Sequence, residues 1–214
     1  MKNIQILGPF NTGTNLLTKI LKHISTCNLH HEGQTHIWKH TILKNKLENC
    51  IINNENTLFI CMYKPIYHWI ESTKKHSYDI KWNKDIYSKC NFCCSKGDPG
   101  EYKNIVEVYN RYYLTYKYLI EKYNNVIWID YYKLLDKKNV KKYLDDNLSP
   151  FNIKDKENDI NYILNKPSKS HGKPVNNSEE ALNKKIIINN KYKNSKDKKF
   201  IDNILDKSIV DFYR

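Results

Sequence analysis

Arginine is nearly missing from this chain. Of its 36 Lys and Arg residues, only Arg111 and Arg214 are arginine, the side chain that most often reads base edges through paired hydrogen bonds. Nucleic acid is therefore not the expected partner. No window reaches the 18 or more apolar residues of a membrane span. The N-terminus lacks a basic-then-apolar leader pattern, so a soluble, cytoplasmic protein is expected. Cys90, Cys93 and Cys94 form a C-x2-C-C cluster. No second C-x2-C completes four metal ligands, and six cysteines do not make a dense disulfide scaffold. Reduced, partly buried thiols are expected, and no metal. There is no internal repeat.

What the chain does have is enough apolar surface to fold. At 214 residues it suits a single domain, 1–214. Hydrophobic residues make up 40% and aromatics 13%, with 17 Tyr, too much for a disordered chain. The formal charge of +13 implies an anionic partner. The lysines are spread along the whole chain beside much Asn, Ile and Tyr, which looks like the coding habit of an AT-rich genome. A solvated lysine surface is the competing explanation.

Strand and helix patterns alternate, which predicts an α/β fold with a parallel sheet between helix layers. Residues 3–7 and 57–62 read as buried strands, and residues 126–129 as a third that leads to Asp130. Helices are expected over residues 14–24, from Pro65 onward through Trp69 and Ser72, over 105–123 and within 134–148. A weak strand is expected at 34–39, and Asn-rich turns at 45–56. Residues 79–101 read as an excursion, 166–196 as a basic loop and 197–213 as a terminal amphipathic helix.

The most informative segment is Ile4 to Leu21. A strand, the turn Gly8 to Asn15 and a helix start gather backbone N–H groups where the helix dipole favours an anion. Gly8-x4-Gly13 has Walker spacing, but Thr14-Asn15 stands where Lys-Ser/Thr would hold a magnesium nucleotide. A second segment follows the strand at 57–62. There Lys64 and Ser72, eight positions apart, could grip one phosphate at the carboxyl edge of the sheet. Taken alone, a solvated Lys and a helical Ser bonded to its own backbone would also fit.

Together these segments resemble the PAPS-dependent sulfotransferase family, whose fold is a P-loop-like sulfotransferase architecture. Thr12-Gly13-Thr14 matches the core that cradles the 5′-phosphosulfate of 3′-phosphoadenosine 5′-phosphosulfate (PAPS), and Lys64 and Ser72 match the spacing of its 3′-phosphate site. Tyr109-Asn110-Arg111-Tyr112-Tyr113 is similar to the family's aromatic-Asn helix. Residues 126–135 are similar to its strand ending in Tyr-Glu-Asp-Leu-Leu. The resemblance implies donor contacts from Asn11, Thr12, Gly13, Thr14, Asn15, Leu16, Lys64 and Ser72. It further implies a basic loop with Lys169 and Lys173 closing over the 3′-phosphate. His40 would act as general base, with Lys39 as a nearby cation; His30-His31 is a lesser candidate.

Three positions depart from the family. Asn11 replaces the Lys that contacts the transferring group, Lys64 replaces an Arg fork by a point charge, and Pro65 is displaced by one position. The implied reaction is sulfuryl transfer from PAPS to a hydroxyl, with a carbohydrate favoured over protein tyrosine or a small molecule. The alternatives are a P-loop nucleotide kinase using Asp130 for magnesium, and a non-catalytic protein that binds nucleic acid or the product bisphosphate, PAP.

Overall fold

The computed structural model describes residues 1–30, 37–93, 100–153, 160–165, 169–170, 173–174 and 178–213. The N-terminal half runs β1 (Asn3–Leu7), α1 (Thr14–Ile24), β2 (Asn28–His30), α2 (Lys44–Ile52), β3 (Thr57–Tyr63) and α3 (Ile66–Lys75). Three short strands follow, β4 (Ile80–Lys81), β5 (Cys90–Phe92) and β6 (Gly100–Tyr102), then α4 (Ile105–Lys122), β7 (Val126–Asp130), α5 (Tyr131–Leu134) and α6 (Val140–Leu148). The remainder comprises α7 (Asn161–Asn165), β8 (Lys169–Ser170), β9 (Lys173–Pro174), α8 (Ser178–Tyr192), α9 (Lys196–Ile204) and α10 (Lys207–Phe212).

The main sheet is parallel throughout, in the order β2-β1-β3-β7. Successive side chains of a strand point to opposite faces, and each face here has its own core. Ile4, Ile6, Leu58, Ile60 and Met62 pack with Leu17, Ile20 and Leu21 of α1 and Leu144 of α6. Leu7, Phe59 and Cys61 pack with Trp69 and Ile70 of α3 and the tyrosines of α4. Burial on both faces explains why residues 57–62 are a continuous apolar run. The chain leaves β1 toward β2 on one side, whereas β3 lies on the other. The carboxyl ends of β1 and β3 therefore flank the point where strand order reverses, the place where open α/β sheets take ligands.

Four expectations are corrected. The stretch at 45–56 is turn only at 53–56; before that it belongs to α2, because Leu47 and Ile51, one turn apart, bury a stripe against the α4 side. Of the weak strand at 34–39, residues 34–36 lie outside the described residues and 37–39 form a bend and turn. The edge strand beside β1 is instead β2, too short to show a period. Residues 134–148 do hold a helix, α6, after the end of α5. Within the loop expected at 166–196, α8 forms a helix of 15 residues. The terminal helix is two helices, broken at Leu205 where the Asp206 carboxylate accepts the Ser208 N–H and starts α10. The excursion at 79–101 carries the small antiparallel sheet β4-β5-β6. Of its cysteines, Cys90 is buried in β5, Cys93 is an exposed free thiol, and Cys94 lies outside the described residues.

Candidate functional site

The loop after β1 is folded tightly enough to require both of its glycines. A Cβ at Gly8 would lie 2.6 Å from Thr12 Oγ1 and 2.9 Å from Met62 Cβ. Gly13 has φ +88°, and a Cβ there would lie 2.5 Å from Tyr131 Cδ2. Between them Thr12 is fully buried and its hydroxyl donates to Pro9 O at 2.7 Å, so Thr12 holds the loop's shape from within. Asn11 is also left-handed, φ +64°, a conformation Asn tolerates better than most residues. Its side-chain amide donates to His76 O at 2.9 Å. Gly13 caps α1 without any side-chain acceptor, and the first turn of α1, which holds Thr14, Asn15 and Leu16, carries no acid. Its positive dipole end is left for another anion.

Lys64 and Ser72 are brought together as their spacing implies. β3 ends just before Lys64 and α3 begins two residues later, so the lysine side chain runs back along the helix. Its ammonium donates to Ser72 Oγ at 2.9 Å and to Asn11 O at 3.0 Å, and it lies 4.5 Å from the centre of the Tyr131 ring. Lys64 is thus in contact with the loop itself. It is only 6% exposed, and both hydrogen-bond partners are neutral oxygens. Burial and the nearby Lys75 charge lower its pKa to about 7. A buried ammonium without a carboxylate partner is held at a penalty that an incoming anion would relieve.

His40 and Lys39 reach the same loop from its other side. Gly8 N–H donates to Lys39 O at 2.9 Å, extending the β1 edge. His40 is buried, with Nδ1 2.6 Å from Gly8 O. A carbonyl only accepts, so Nδ1 carries the proton and Nε2 is the ring's basic nitrogen. The imidazole faces Phe10, ring centres 4.1 Å apart, and meets Trp38 edge-on. Lys39 Nζ donates to Asn15 Oδ1 at 3.1 Å, which puts a cation at the first turn of α1. His36 and His31 lie outside the described residues, and His30 ends β2.

Two parts of the site were not foreseen. The first is a tyrosine face of α4: Tyr112 OH donates to His40 O at 2.7 Å, Tyr109 OH donates to Lys64 O at 3.0 Å, and Tyr113 OH accepts from Lys64 N–H at 3.1 Å. Their three-and-four spacing marks a buried face, and buried Tyr hydroxyls seek partners. The second is α8, which brings Asn189 Oδ1 to within 2.8 Å of His68 Nε2 and Lys185 Nζ to 4.6 Å from the centre of the Tyr132 ring. His68 Nδ1 also meets Tyr132 OH, and burial lowers the imidazole pKa to about 4.

Lys169 and Lys173 fall in β8 and β9, paired Lys169↔Pro174 and Ser170↔Lys173, with 171–172 between them outside the described residues. Asp130 ends β7, two strands from β1, and its Oδ1 accepts the Tyr132 N–H to start α5. Burial raises its pKa. No helix among the described residues is long and apolar enough to cross a membrane. Compared with known proteins, the chain matches no family model, no curated protein and no solved structure.

Proposed function

We propose that this chain is a sulfotransferase that moves a sulfuryl group from PAPS to a hydroxyl acceptor, with a carbohydrate favoured. The observation that carries this reading is the Lys64 ammonium, buried without a carboxylate partner among the described residues and bonded to both Ser72 Oγ and the Asn11 carbonyl. It joins two anion-seeking features at the carboxyl edge of the sheet, as a donor with phosphates at both its 3′ and 5′ positions requires. The residues present suit that donor. Lys64 and Ser72 would hold the 3′-phosphate, while backbone N–H groups from Thr12 to Leu16 would hold the 5′-phosphosulfate. The donor supplies an activated sulfuryl group whose transfer leaves PAP. His40 Nε2 would take the acceptor hydroxyl's proton as its oxygen bonds to sulfur and the bond from sulfur to the 5′-phosphate oxygen breaks. Lys39, at the start of α1, would stabilise charge on the leaving phosphate, the role that Asn11 does not fill.

The test is purified protein incubated with PAPS and a panel of saccharides, with release of PAP as readout and calorimetry for PAP binding. Failure to bind PAP sinks the proposal. One observation favours a second reading, a fold that binds PAP without turning it over: the Asn11 amide is engaged by His76 O. PAP binding without turnover on any acceptor would select it.

A further inference from the structure

β1 ends at Leu7, opposite Cys61, whereas β3 continues to Tyr63. Beyond Cys61 the backbone on that edge has no strand partner, and buried peptide groups must find one elsewhere. Two tyrosines one helical turn apart on α4 supply it. Tyr113 OH accepts the Lys64 N–H at 3.1 Å and donates to Met62 O at 3.2 Å, while Tyr109 OH donates to Lys64 O at 3.0 Å. Both polar groups of the Lys64 residue, with the Met62 carbonyl before it, are held by side chains that are 1% exposed or less. Their ring centres are 4.3 Å apart, and Tyr63 meets Tyr113 edge-on, so neither hydroxyl can swing away without disturbing the core.

From this we infer that Tyr109 and Tyr113 are positioning residues for the Lys64–Ser72 anion site. They fix the peptide from which Lys64 projects, and through it the seat of the ammonium between Ser72 Oγ and the Asn11 carbonyl. The inference rests on the donor reading only for the identity of the anion. The same helix provides an internal control. Tyr116 is fully buried one turn further along the same face, but its hydroxyl has no hydrogen-bond partner among the described residues.

The experiment compares Tyr109→Phe, Tyr113→Phe and Tyr116→Phe in the full chain. The first readout is the titration of the Lys64 ammonium by NMR, which needs no ligand. The wild-type midpoint near 7 is expected to move in Y109F and Y113F and to stay in place in Y116F. The second is the ratio of calorimetric affinities for adenosine 3′,5′-bisphosphate and adenosine 5′-monophosphate, which isolates the 3′-phosphate. That ratio is expected to fall about tenfold in Y109F and Y113F, the scale of one net hydrogen bond, and to hold in Y116F. An unchanged Lys64 titration in Y109F and Y113F, or an equal change in all three variants, overturns the inference. A wild-type protein that binds neither nucleotide overturns the donor reading instead, and the titration still decides the role of the tyrosines.

Discussion

His40 Nδ1 and the carbonyl oxygen of Gly8 are 2.6 Å apart, so the candidate base is also a strut of the loop it would serve. His40→Ala orphans that buried carbonyl and opens a gap beside Phe10. The expected loss is about 2 kcal/mol of stability, read as a lower urea midpoint with unchanged slope. Under conditions where the variant remains folded, transfer should fall by at least about a hundredfold if the base assignment holds. A folded variant with near-normal turnover would remove His40 from the chemistry and leave it the strut alone.

Gly13→Ala forces a Cβ to within 2.5 Å of the Tyr131 ring at a backbone angle of +88°. The strain is expected to destabilise the protein by about 2 kcal/mol or more and to weaken PAP binding. Adding Tyr131→Ala should relieve the clash but not the backbone strain, so thermal stability recovers only in part. A Gly13→Ala protein with unaltered melting temperature would contradict the loop geometry.

Lys64 sets a pH dependence with opposite signs for the empty and the ligated protein. Its pKa is lowered to about 7 by burial and the Lys75 charge, against an ordinary lysine in the unfolded chain. Between about pH 7 and the ordinary lysine pKa of ~10.4 the unfolded state binds the extra proton, so this residue makes the unliganded protein more stable as pH rises. Binding of PAP should weaken over the same rise, by up to about tenfold per pH unit, because the ammonium must be recharged to meet the phosphate. Lys64→Met should flatten both slopes. Calorimetry and chemical unfolding from pH 7 to 9 measure them.

Lys39, 3.1 Å from Asn15 Oδ1, is expected to act on transfer more than on binding. Lys39→Ala should lower turnover by about a hundredfold, the usual scale for one electrostatic group at the leaving side, while PAP affinity changes by less than tenfold. Equal losses in both would make Lys39 a binding residue only. Unchanged turnover would show that another cation serves the leaving phosphate.

Much of the frame is legible in the chain as written. Residues 3–24 and 57–75 declare strand, loop and helix because their apolar residues recur with strand or helix period and a glycine or proline punctuates each junction. α8 is different. It meets α3 through Lys191 and Tyr192 on Glu71 at 2.9 and 2.8 Å and Asn189 on His68, and only Tyr192 and Ile188 reach the core, while Ile186 and Ile187 are exposed. A helix whose isoleucines fall on both its buried and its exposed faces leaves no apolar period to detect.

The candidate site divides along the same line. Lys64 and Ser72 meet because a strand end and two turns of helix place them together, and eight residues of local geometry suffice. The loop's anion-seeking character is equally local, set by Gly13 and the uncapped start of α1. Nothing local joins Lys64 to Asn11, His40 to Gly8, or Tyr109 and Tyr113 to the Lys64 peptide. Those contacts span 32 to 53 residues of chain. They exist because parallel strand pairing lines up the carboxyl ends of β1 and β3, and because buried backbone groups beyond the ladder must be satisfied by whichever side chains the packing brings near. Residue spacing could therefore point to a candidate anion site, whereas the packing of α4 and of the 38–40 segment on the sheet decided which side chains hold its residues in place.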